Sequence, residues 1–147
     1  MESNNTKFPF GIIMIGVGGY AIYYFAKKVK ELFTGSEEQK KELQEFGNSN
    51  YWDINFWKKP GSLILKHAAV TDFINKLNSA PGTFNDNEEK VYSVFRACNT
   101  KSQVSYLADK WSQGSNISLY DYLTKFLSDS ELYTVKKIID SKPNYTH

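Results

Sequence analysis

Arginine is almost missing from this sequence. Of 18 basic residues only Arg96 is an arginine, and the net charge over 147 residues is +2. Residues 1–81 hold 10 Lys against 8 Asp and Glu, a difference of +2; residues 82–147 hold 8 basic against 8 acidic, a difference of 0. Neither half carries the charge bias of a phosphate-binding surface, so no nucleic-acid partner is expected. Cysteine is limited to Cys98, which excludes an intrachain disulfide. It falls on the apolar phase of a helical pattern, the place of a buried core thiol.

Histidine is equally scarce. His67 and His147 are the two present, with no Cys beside His67 and with His147 at the chain end. No Ser-His-Asp, Cys-His or metal-ligand spacing arises from so few residues. The acidic pairs Glu37-Glu38 and Glu88-Glu89 open helical patterns, where the helix dipole favours negative charge. No catalytic residue, metal or cofactor is expected, and no small-molecule substrate: the chain reads as a non-enzyme. The lysine, asparagine and tyrosine usage is that of an AT-rich genome, a low-GC bacterium or its virus.

Long apolar runs are also lacking, with one exception. Residues 8–26, FPFGIIMIGVGGYAIYYFA, carry no charge. As a helix they would span roughly 28 Å, close to the hydrocarbon thickness of a bilayer. Phe8 and Phe10 mark one end, and Tyr20, Tyr23, Tyr24 and Phe25 the other, as interfacial aromatics do. Lys27, Lys28 and Lys30 follow at once, whereas the leader 1–7 offers only Glu2 and Lys7. By the positive-inside rule the C-terminal part faces the cytoplasm. A cleaved signal peptide wants its positive charge before the apolar run and small residues after it, the reverse of what stands here. The GVGGY stretch lacks the Gly-Lys-Ser/Thr of a phosphate loop.

Beyond the run, KKVKELF continues a helix to Gly35, and Ser36 with Gln39 opens the next. EEQKKELQEF alternates charge and has few apolar positions, Leu43 and Phe46, which suits a solvated stalk or a partner-binding helix. An aromatic loop follows. Tyr51, Trp52, Phe56 and Trp57 lie within seven residues, ahead of Lys58, Lys59 and Pro60-Gly61. These rings could cover the core, lie at lipid headgroups or anchor a protein partner; Tyr51, Trp52, Phe56 and Trp57 are the candidate partner-binding residues.

Helical periodicity dominates the remainder. A helix over roughly 63–78 places Ala69, Phe73, Ile74 and Leu77 on one face. Four more follow, opened by Asp86 with Glu89, Thr100 with Gln103, Ser118 with Asp121 and Ser128 with Glu131. The pattern predicts an all-α protein: a leader (1–7), a transmembrane helix (8–26), a juxtamembrane helix, stalk and aromatic loop (27–61), and a small soluble helical-bundle domain (62–147).

The succession of Gly82-Thr83, the Asp86/Glu88/Glu89 cluster, the Cys98 helix end, Thr100-x-x-Gln103, Ser118-Leu119-x-x-x-Leu123 and Phe126-Leu127-Ser128-x-x-Glu131 resembles one repeat of the annexin family. The resemblance covers about 60 residues. It implies a helical scaffold and, in the family, calcium-dependent binding to anionic membranes through a Gly-x-Gly-Thr loop and a distant carboxylate. Here that loop reads Ala80-Pro81-Gly82-Thr83 and the carboxylate position falls near Phe126, so no annexin-type calcium site is expected.

A span joined to a non-catalytic helical domain suggests a membrane-anchored structural protein. The first expectation is a minor virion protein of a lipid-containing bacteriophage, linking an internal viral membrane to the capsid shell. A bacterial inner-membrane adaptor that recruits a soluble partner is the alternative, and a holin-like lysis accessory a third.

Overall fold

The computed structural model describes residues 36–82 and 86–145, and every regular element among them is helical. The described residues form six α-helices: α1 (Glu37–Gly47), α2 (His67–Asn78), α3 (Glu88–Ala97), α4 (Lys101–Gly114), α5 (Leu119–Phe126) and α6 (Asp129–Asp140). Two single-turn 3-10 helices, Asn50–Trp52 and Phe56–Lys58, lie between α1 and α2. None of the described helices is long and apolar enough to cross a membrane. The 8–26 run lies outside the described residues, and so do Phe8, Phe10, Tyr20, Tyr23, Tyr24, Phe25, Lys27, Lys28, Lys30 and the helix expected up to Gly35.

Local side-chain caps set most of the helix starts. Ser36, Thr100, Ser118 and Ser128 each accept a hydrogen bond from the backbone N–H three residues on, satisfying a donor that has no partner inside its helix. Ser128 and Glu131 complete a reciprocal capping box. The α3 start differs from expectation by one residue. Asn87 caps it by accepting from Lys90 N, while Asp86 turns back to accept from Gly82 N at 3.0 Å.

The central element is α4, which packs against α2, α5, α6 and both 3-10 turns. Its Val104, Leu107, Ala108 and Trp111 are buried, and so are Ser102 and Ser105. The first amides of α4 are satisfied from far along the chain. Lys101 N donates to Pro143 O at 2.9 Å and Ser102 N to Asn144 O at 3.0 Å, so the segment after α6 folds back as a cap. Around α4, a continuous core joins Leu77, Val91, Val94, Phe95, Leu119, Leu123, Phe126, Val135 and Ile139.

Two expectations need correction. The stretch read as a solvated stalk is part of the packed unit: α1 lies along α6, and Phe46 is 0% exposed. Its ring meets Trp52 at 5.4 Å and Tyr120 at 5.5 Å, both edge-on, while Glu42 lies 3.7 Å from Lys136. Among the described residues the helical unit therefore includes 36–61 as well as the expected 62–147 part. The helix expected from Leu63 begins instead at His67. Pro60-Gly61 forms a turn closed by Ser62 N to Lys59 O at 3.2 Å, with Gly61 at φ +81°, and Ser62–Lys66 runs on without helical structure. Of the predicted α2 face, Phe73 and Leu77 are buried and Ala69 and Ile74 half-buried; Val70 joins them.

Candidate interaction surfaces

The aromatic loop is held from beneath by α4. Ser105 Oγ accepts from Trp57 N at 3.2 Å and donates to the Asp53 carbonyl. One turn earlier, Ser102 Oγ donates to Leu63 O at 3.2 Å. These short hydroxyls at i and i+3 share a helix face, so they pin residues 53–57 and Leu63 side by side on one strip of α4. Within the loop, Asp53 accepts from Asn55 N at 2.8 Å, forming a turn of the kind aspartate favours.

The four candidate partner-binding aromatics are not exposed together. Tyr51 and Phe56 are buried in the domain. Tyr51 donates through its hydroxyl to Asp140 at 3.0 Å, and burial, with the Asp140 carboxylate nearby, raises its pKa. Phe56 stacks on Tyr145 at 5.0 Å, and Tyr145 donates to Phe56 O at 3.2 Å. Trp52 is half-buried and donates to Phe46 O at 2.9 Å. Trp57 is also half-buried, edge-on to Tyr106 at 4.9 Å. The first three rings join the loop to the core, because a large ring gains most when buried.

The outward face carries other residues. Ile54, Leu63 and Ile64 are the exposed large hydrophobic side chains among the described residues, at 39%, 39% and 50% exposure. All three lie on this loop. Lys58, Lys59 and Lys66, interleaved with them in the sequence, are also exposed, and no carboxylate lies within ion-pair distance of any of the three among the described residues. Lys58 Nζ sits 5.8 Å from the Trp57 ring, and Lys59 Nζ 5.6 Å from Phe56 and 5.4 Å from Tyr145. Two polar atoms beneath the loop, Trp57 Nε1 and Ser62 Oγ, are buried without a hydrogen-bond partner. Sequence reasoning missed Ile54, Leu63 and Ile64. The available signal was Leu63-Ile64-Leu65: three consecutive apolar residues just after a turn cannot all face one core, and only Leu65 is buried.

A second feature is a cleft of about 390 Å³ formed by α2, α4, α5 and the α4–α5 connection. Ile74, Trp111 and Tyr122 contribute apolar surface, and Asn78, Lys110 and Lys125 polar groups. Trp111 and Tyr122 lie 4.5 Å apart, with the indole N–H donating to Ile117 O at 3.1 Å and the phenol to Leu77 O at 3.1 Å. With those donors used, the lysine ammonium groups, the Asn78 amide and the Ser115 hydroxyl are side-chain groups of the lining that can meet a ligand, and the two ammonium groups suit an anion. Lys110 is shared with Asp109 at 3.8 Å and with the Tyr106 ring at 5.2 Å.

Comparison with protein-family models, with curated proteins and with solved structures finds no match. Glu37-Glu38 and Glu88-Glu89 sit in the first turns of α1 and α3. No three His, Cys, Asp or Glu side chains cluster as metal ligands among the described residues. His67 is exposed at the start of α2, and His147 lies outside the described residues. Cys98 is fully buried, and that burial pushes its thiol up to about 12. In the loop compared with annexins, Thr83 is outside the described residues and Phe126 is a buried core ring.

Proposed function

We propose that this chain is a membrane-anchored structural protein whose helical domain links a bilayer to a protein layer. In the specific form we favour, it is a minor virion protein of a lipid-containing bacteriophage, set between an internal membrane and the capsid shell. One observation carries the reading: the charge-free run 8–26, followed by Lys27, Lys28 and Lys30, precedes in sequence the packed helical unit that includes the helix capped by Ser36. A hydrophobic segment of that length has its lowest free energy across a bilayer. The lysines then orient the domain toward the cytoplasmic side, which becomes the capsid-facing side if the viral membrane derives from the host inner membrane. Purified particles test this. The chain should persist through density purification and leave with the lipid, or at the inner face of the shell, on detergent stripping. Its confinement to host membranes, with none in particles, overturns the virion form.

The cleft favours a second reading, a bacterial inner-membrane adaptor. Lys110 and Lys125 beside an apolar wall suit an acidic segment of a soluble protein. Capture of one partner by the wild type but not by Lys110→Glu/Lys125→Glu, with the chain absent from particles, supports the adaptor.

A further inference from the structure

We infer that the loop of residues 53–66 is a second membrane contact, docking on anionic lipid headgroups beside the anchor. The inference rests on the reading of 8–26 as a transmembrane segment. Its own ground is the composition of one surface. Ile54, Leu63 and Ile64 are exposed, while most large apolar side chains of the domain are buried or half-buried. Ser105 and Ser102 hold the Asp53 and Leu63 carbonyls within one turn of α4, which draws the backbone next to Ile54 and that of Leu63-Ile64 onto one strip of that helix. Lys58, Lys59 and Lys66 are interleaved with them in the same loop sequence and exposed, with no carboxylate in ion-pair range among the described residues. Residues 53–66 contain three Lys and one Asp, 3 − 1 = +2.

Apolar side chains ringed by long cations suit the headgroup boundary. The apolar groups reach acyl chains, the lysine stems cover apolar surface, and the ammonium groups stay with phosphate. Anionic lipid is the complementary charge. The tether length allows the contact. Nine residues, 27–35, separate the run from Ser36, a maximum reach of about 30 Å. The 11 residues of α1 then bring the chain to the loop over roughly 16 Å. A surface held that close meets the bilayer at high effective concentration, so weak affinity suffices. Trp57 Nε1 and Ser62 Oγ are buried without partners, so a small rearrangement of this loop that satisfies them would gain hydrogen bonds.

A spin label tests the inference on the full chain. Ile64→Cys takes the label, because Cys98 is fully buried and unreactive in the folded chain. A second variant, Val17→Cys, reports on the anchor. Both are placed in nanodiscs of pure phosphatidylcholine or of phosphatidylcholine with phosphatidylglycerol. Accessibility to oxygen and to a water-soluble nickel chelate is then measured. Docking predicts that the residue-64 label gains oxygen and loses nickel access in anionic discs, and that salt reverses the change. Each lysine near an anionic surface is worth roughly fivefold, so Lys58→Glu/Lys59→Glu should lower the docked-to-free ratio by at least about 25-fold. A residue-64 label that stays aqueous in anionic discs, with residue 17 in the hydrocarbon, overturns docking and leaves the anchor standing. A residue-64 label that is immobilised without lipid access points to a protein contact and also overturns docking. A residue-17 label in water refutes the anchor, and docking with it.

Discussion

Removing one ring should show whether residues 37–47 belong to the domain. Phe46 is 0% exposed and packs edge-on against Trp52 and Tyr120, while its carbonyl accepts the Trp52 indole N–H. Phe46→Ala keeps the carbonyl and deletes the ring. Truncating a fully buried phenylalanine costs about 3–5 kcal/mol, from lost transfer energy and the cavity left behind. A domain of roughly 110 residues has about 5–15 kcal/mol of stability in all, so the variant should lie near the edge of folding. In thermal unfolding of the full chain in mild detergent, followed by tryptophan fluorescence, Tm should fall by at least about 12 °C. Gln44→Ala, exposed on the same helix, is the control and should shift stability by no more than about 0.5 kcal/mol. A Phe46→Ala protein that melts with the wild type would refute the packing of α1 on the domain and restore the solvated stalk.

The returning C-terminal segment makes a second prediction. Deleting residues 143–147 leaves Lys101 N and Ser102 N without acceptors and removes the Tyr145 ring from Phe56. Urea denaturation should show a loss of about 2–6 kcal/mol, at 1–3 kcal/mol per orphaned buried group; an unchanged midpoint would mean the segment caps nothing. A third concerns alkaline pH. The Cys98 thiol is raised to about 12 by burial, whereas a free thiol ionises near about 8.5. Between those values the unfolded chain releases a proton that the native chain keeps, so stability falls as pH rises through that window and is flat below it. Tyr92, raised to about 12 chiefly by burial, adds to the same decline from about pH 10 upward. The native thiol should resist alkylation at about pH 8 and react on unfolding; rapid alkylation of the folded chain would contradict its burial.

The helix starts at Ser36, Thr100, Ser118 and Ser128 were legible because a cap is a contact between residues three apart. The α3 start was ambiguous for a local reason as well: Asp86 and Asn87 are both competent acceptors, and the adjoining Gly82 amide decides between them. The role of α1 was hidden because its burial rests on Phe46, whose neighbours come from Trp52 and, far along the chain, Tyr120. The loop was legible as aromatic but not as inside or outside. Tyr51 is turned inward by Asp140, and Phe56 by Tyr145, each 89 residues away. Once those rings are inside, the surface passes to Ile54, Leu63 and Ile64, and no local pattern marks that exchange.

The central claim is that residues 8–26 hold this domain at a membrane. Extraction of native membranes with carbonate at about pH 11 tests it most directly. Alkaline carbonate strips proteins held only at a bilayer surface, whereas an embedded apolar segment stays. The chain should remain in the membrane pellet and move to the supernatant only with detergent. Release into the carbonate supernatant would contradict the anchor, and with it the membrane-linking function built on it.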